Sequence, residues 1–194
     1  MLPSGHEIKR FRLPGHLGRQ LSREPLGGSV RFLRNLLGPR NPTLGWTRDP
    51  SRSLELDLDS DSLSGVPLGS AFDSLEFLGP AQRSKSDPEL WEFSPLGVAA
   101  EAHAAQIVGL FVVPIPDEHF GVEPYTGVVA IGGRPVPIAW ISREQDVTRA
   151  FGKPTRRDDD HEETVLFYDI GRAERQIELT PEGRIKTIAI FSNP

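Results

Sequence analysis

Three times along this 194-residue chain an apolar run of helix length opens on Ser, stops at Gly and is followed within two residues by Pro. The runs are SVRFLRNLLGP (29–39), SAFDSLEFLGP (70–80) and SREQDVTRAFGKP (142–154). A Ser hydroxyl at the start can accept from the unpaired amides of a first helical turn. At the other end Gly38, Gly79 and Gly152 suit a left-handed C-cap, and Pro39, Pro80 and Pro154 cannot continue a helix. Apolar residues precede each Gly directly (Leu37, Leu78, Phe151) and recur one or two turns earlier (Val30 and Leu33, Phe72 and Leu75, Val147). This spacing predicts three short helices, each with one buried face. Ser142 and Gln145 also fit a capping box.

Each run is followed by strand-like segments. After Pro154 comes the acidic stretch RRDDDHEE, read as a solvated loop, then TVLFYDI (164–170), RQIELT (175–180), a Pro181-Glu182-Gly183 turn and RIKTIAIF (184–191). Short gaps between three such runs imply an antiparallel meander. Ile177 and Leu179 share a face, and the spacing of Ile185, Ile188 and Ile190 requires a kink near Thr187. After Pro80 the order repeats as ELWEF (89–93), LGVAAEAHA (96–104) and QIVGLFVV (106–113), while the first copy keeps only LGW (44–46), SLELDLDSD (53–61) and a stub at 63–66.

Nineteen Gly and 18 Pro, about 19% of the chain against a usual 12% or so, favour short elements over a helical bundle. Leu, Ile, Val and Phe still make up about 28%, enough for a core. The expected class is α+β: two repeated modules, or two and a half with the degenerate copy, each a short helix on a small antiparallel sheet. The divisions are a basic arm over 1–28, a degenerate first module over 29–66, a second over 67–113, a Pro-rich connector and hairpin over 114–141 and a third over 142–194. Gly132-Gly133 reads as the hairpin turn, and Pro135 and Pro137 confine its second strand to an edge. A lone module of about 50 residues has a marginal core, which favours pairing.

Residues 142–191 resemble the BamE (small outer-membrane lipoprotein A) module and the related repeats of β-lactamase inhibitor proteins. The matching positions are Asp146, Val147, Phe151, Gly152, Pro154, Phe167, Tyr168, Leu179, Gly183 and Ile185, with weaker cover over 65–113. A second resemblance, to phagosome assembly factor one, is carried by Gly69 to Pro80 and by Phe93-Ser94-Pro95-Leu96-Gly97-Val98. Both imply modules that bind other proteins through a sheet face and loops, without catalysis.

The formal charge of −5 is unevenly placed: residues 1–48 carry +7 and the remainder −12. With no Cys, disulfides, thiolate zinc sites and cysteine nucleophiles are excluded. No Gly-x-Ser-x-Gly elbow, P-loop or paired-His spacing is present. The run Asp158, Asp159, Asp160, His161, Glu162, Glu163 lacks the spaced ligands and central Gly of a calcium loop. No catalytic residue, cofactor or metal site is therefore expected. Nor does any apolar run have signal-peptide or membrane-span length, which makes the expected compartment cytoplasmic.

The expected function is a non-catalytic adaptor, inhibitor or immunity-like protein that binds another protein with a basic surface. Its candidate contacts are Trp91, Trp140, Asp158, Asp159, Asp160, Glu162 and Glu163, although Trp46, Trp91 and Trp140 also read as core fillers, and only an exposed one would mark an interface. The first alternative is nucleic-acid or anionic-surface binding through Lys9, Arg10, Arg12, Arg19 and Arg23 in the N-terminal arm. The second is an enzyme whose residues converge only in the fold.

Overall fold

In the chain's computed structural model the described residues are 41–192, apart from 86, 117–119, 142, 161 and 171–172 and the side chains of 140 and 170. They belong to a unit that begins at Asn41. The first helix-like run and the whole basic arm lie outside the described residues.

The largest element is an antiparallel sheet of eight strands. Its chain order is β4 (Gln82–Arg83), β5 (Leu90–Phe93), β6 (Val98–His103), β7 (Gln106–Val112), β10 (Arg156–Asp159), β11 (Thr164–Ile170), β12 (Ala173–Leu179) and β13 (Ile185–Ser192). In space the order is β10-β11-β12-β13-β7-β6-β5-β4. Burial alternates along β12, but much of β5, β7 and β13 is buried on both faces. A second sheet, β3-β2-β1-β8-β9, comprises β1 (Glu55–Asp57), β2 (Ser62–Leu63), β3 (Val66–Pro67), β8 (Val128–Ile131) and β9 (Arg134–Val136). Within it β1 runs parallel to β8, with Leu56 beside Val129. Gly132 and Gly133, at φ +61° and +66°, form the tight turn between β8 and β9, and positive φ at both turn positions is what such a hairpin demands.

The fold corrects the α+β, BamE-like expectation of repeated helix-plus-small-sheet modules. The protein is mostly β, and the strands predicted for the second and third modules are halves of one sheet. The physical reason lies in β7 and β13. Each ends its own meander with an apolar strand, an edge that water solvates poorly and that pairs readily. They pair with each other: Ile188 lies beside Val112, Ile190 beside Leu110. The expected kink is a bulge, because Thr187 opposes Glu178 while Ile185 opposes Leu179, leaving Lys186 unmatched.

The two helix-like runs in view also differ. Residues Glu144–Phe151 form α1, with Val147 and Phe151 buried four apart; Phe72–Leu78 is instead a 3₁₀ helix, η1. In η1 the buried Phe72, Leu75 and Leu78 recur every three residues, the period of the tighter helix. Ser70 does not cap it. The N-cap position is Ala71, because backbone around Ser70 is bonded to the start of β7, where Ile107 N–H donates to Ser70 O at 2.9 Å. Ser142 lies outside the described residues, and α1 has no side-chain cap. Gly79 and Gly152 do take positive φ (84° and 87°), but with ψ of −167° and −172° they are not left-handed caps. That region of backbone space is essentially glycine's alone.

The inner face of the large sheet meets η1, α1 and the smaller sheet in one core, which includes Leu56, Leu63, Phe93, Leu110, Val129, Leu166 and Ile188. Among the described residues no helix is long and apolar enough to cross a membrane.

Candidate interaction face

Strand register sorts the side chains of the large sheet into rows. One row crosses all eight strands: Arg156, Phe167, Gln176, Ala189, Phe111, Ala99, Glu92 and Gln82. It lies on the outer face, opposite the core. Beside it run Asp158, Val165, Glu178 and Thr187 on one flank, and Asp169, Glu174, Phe191, Gly109, Glu101 and Leu90 on the other.

The halves of this face are finished differently. Over β5, β6, β7 and the adjoining part of β13, the connector lays Phe120 and Val122 on Leu90, Ala99, Phe111 and Ala189. Phe111 lies 5.9 Å from Phe120 and meets Phe191 edge-on at 5.2 Å. Backbone bonds fix the connector: Glu123 N–H donates to Ser94 O and Tyr125 N–H to Val113 O, both at 2.8 Å.

Over β10, β11 and β12 the side chains stay partly in water. Val165, Glu174, Gln176 and Glu178 are half-buried and Asp169 is exposed. Phe167 is buried under the Arg156 guanidinium, which stands 3.6 Å from its ring centroid. That geometry combines cation–π attraction with shielding of the ring. Arg156 also reaches Glu174 at 3.3 Å, and Gln176 donates to the same carboxylate at 2.6 Å. Thr155 donates to Asp169 at 3.0 Å. Among the described residues, four carboxylates (Asp158, Asp169, Glu174, Glu178) share this half-face with the Arg156 guanidinium, and the Lys186–Glu163 pair, at 2.9 Å, lies close to its end.

Of its two readings, Trp91 takes the core position, which removes it as a partner contact. Alternation turns it to the inner face, where it is 5% exposed, 5.3 Å from the Phe72 ring and covered by Arg83 at 4.7 Å. Trp140 closes a 3₁₀ turn, Ile138–Trp140. The acidic run is only partly a loop, since Asp158 and Asp159 continue β10. Asp159 accepts from the Thr164 hydroxyl at 2.7 Å, and Asp160 accepts from the amides of Glu162 and Glu163 at 2.8 and 2.9 Å. These carboxylates close a hairpin. His161 and the arm residues Lys9, Arg10, Arg12, Arg19 and Arg23 lie outside the described residues. Among the described residues no group of three or more His, Asp or Glu could hold a metal ion.

Sequence reasoning missed Arg156, Phe167, Glu174, Gln176 and Glu178 as one surface. The signal was the polar phase of AERQIEL, the complement of the apolar phase that marked Ile177 and Leu179. On the inner face, burial pushes the Tyr168 phenol up to about 12, with nearby Glu144 adding to the effect. Its hydroxyl, 3.4 Å from Gly152 O, therefore stays protonated and holds α1's end to the sheet. Burial also works against ionisation of Asp57, but the Ser60 hydroxyl, the Asp59 and Ser60 amides and Arg175 outweigh it and keep the carboxyl below its usual range.

No known family and no curated protein matches the chain. Among solved structures, a DUF4309 family protein (YjgB) from Bacillus subtilis subsp. subtilis str. 168 is similar at 13% identity and a TM-score of 0.33. The similarity covers 50% of this chain and 56% of that one.

Proposed function

We propose that this chain is a non-catalytic protein-interaction module, an adaptor or inhibitor, whose outer face over β10–β12 docks on a partner with a basic surface. One observation carries the reading: the half-face left without the connector's cover presents four carboxylates around an Arg-capped aromatic ring. An arrangement of this kind steers a cationic partner by long-range attraction, while Phe167 and Val165 offer apolar area once Arg156 moves aside. Its half-buried side chains lie in fixed strand register, so little ordering is needed at docking.

The test uses proteins retained by the immobilised full chain. Association rates are followed against ionic strength for the wild type, the Glu174→Lys/Glu178→Lys variant and a control, Glu89→Lys, at the opposite end of the sheet. The paired reversal is expected to slow association about tenfold at low salt, with the control unchanged. Rates that ignore both salt and the paired reversal would remove the proposal.

A further inference from the structure

Strand β10 is the outermost member of the eight-strand order and carries the sequence Arg156-Arg157-Asp158-Asp159. An outer strand leaves alternate N–H and C=O groups unpaired, and a charged edge ordinarily keeps foreign strands away. Here the order of the charges, two basic and then two acidic, makes the edge complementary to itself when run antiparallel.

Hydrogen bonding selects the register. Asp160 N–H donates inward to Glu163 O at 3.0 Å. In an antiparallel ladder the residues that bond inward alternate with those that bond outward. Arg156 and Asp158 therefore share Asp160's inward set, and Arg157 and Asp159 turn their backbone groups outward, where none of the described strands pairs with β10. We propose that two copies of this chain pair through β10 about a two-fold axis at Asp158, joining their large sheets into one. Arg157 of each copy then lies opposite Asp159 of the other, and these two residue pairs exchange four backbone hydrogen bonds. Arg157 and Asp159 already form an ion pair within one copy, and at 46% and 42% exposure that pair faces water. The second copy's pair, run antiparallel, sets each charge against its opposite and makes a network of four. Glu144 of α1 takes the Arg157 Nε and Nη2 at 3.0 and 3.1 Å and Asp159 of the same copy takes Nη1, which leaves the second hydrogens of Nη1 and Nη2 for a neighbouring carboxylate.

Arg156 lies opposite Asp160 of the second copy on the other face. Only Asp158 meets its own like, bracketed by the Arg156 residues of both copies. The contact is isologous and closes after two copies. It covers well under the roughly 1,200 Å² of a stable interface, so association is weak, concentration-dependent and salt-sensitive. Arg156 and Asp158 belong to both surfaces, but the charges reversed in the two tests differ, Arg157 and Asp159 here and Glu174 and Glu178 there, so the two proposals fail separately.

Sedimentation equilibrium of the full chain across concentration and salt tests it, with thermal melting verifying that each variant folds. The wild type is expected to shift from monomer towards dimer at low salt and to revert at about 0.5 M salt, where screening acts within a few ångströms. Arg157→Asp alone and Asp159→Arg alone lose the dimer, because each sets like charges opposite one another twice. The Arg157→Asp/Asp159→Arg swap restores it, and Asp158→Asn strengthens it by removing the one like pair. Amide exchange at Arg157 and Asp159 slows as concentration rises. A chain that stays monomeric at low salt overturns the inference, as does a dimer indifferent to either reversal or single losses that the swap fails to rescue.

Discussion

Thr187 is 2% exposed on the outer face of β13, and its hydroxyl finds no hydrogen-bond partner among the described residues. A buried hydroxyl left unpaired costs roughly 1–3 kcal/mol, whereas an apolar group of the same shape costs nothing of that kind. Val is that group, and β-branching suits a strand. Thr187→Val is therefore expected to stabilise the fold by about 1 kcal/mol in urea unfolding, with the slope of the transition unchanged. A loss of stability would mean that the hydroxyl makes a hydrogen bond in the folded protein after all. Arg175 behaves oppositely. It is 5% exposed, yet both its Nε and its Nη2 donate to Asp61, at 3.0 and 2.8 Å, so its burial is matched by charge.

At the scale of elements, what one strand shows of itself was legible and what it pairs with was not. The runs 164–170, 175–180 and 184–191 fall on β11, β12 and β13 because each is an apolar or β-branched run of strand length bounded by turn residues, and in β12 burial alternates residue by residue as well. Helix type was legible too, had the three-residue spacing of Phe72, Leu75 and Leu78 been weighed against the four-residue spacing of Val147 and Phe151. The parallel pairing of β1 with β8, some 70 residues apart, and the β7–β13 joint have no local signature, since any apolar edge satisfies another. The site suffered in the same way: Trp91 reads as core filler or interface anchor until register turns it inward, and the outer carboxylates look like ordinary solvated charge until neighbouring strands align them. The connector shows how an irregular segment can act as an element. Phe120, 8% exposed against Phe111, clamps it to the sheet. Phe120→Ala should cost about 3 kcal/mol and speed amide exchange at Glu123 and Tyr125 more than in β11, a contrast that exchange mass spectrometry resolves. Equal acceleration in both places would show that the clamp is not local.

Taken as a whole, the unit from Asn41 has two ties that span it. The β13–β7 ladder runs from Ile188–Val112 to Phe191–Gly109 in the middle of the large sheet, and the Arg175–Asp61 pair binds that sheet to the loop after β1. Both pass through the common core, so neither half of the sheet can leave without exposing the other's apolar edge. Cooperative unfolding follows when no part retains a buried face by itself. The sharpest probe is Ile188, fully buried on β13 and opposite both Ile177 and Val112. Ile188→Ala should remove about 3 kcal/mol, the cavity cost of a large buried side chain. That loss is expected in the slowest-exchanging amides of β5 and β6 as fully as in those of β11 and β12, because both sets exchange only when the whole unit opens. Protection that falls in β11 and β12 but persists in β5 and β6 would mean that the halves open independently. The continuous sheet would then be two stable bodies in contact rather than one folding unit.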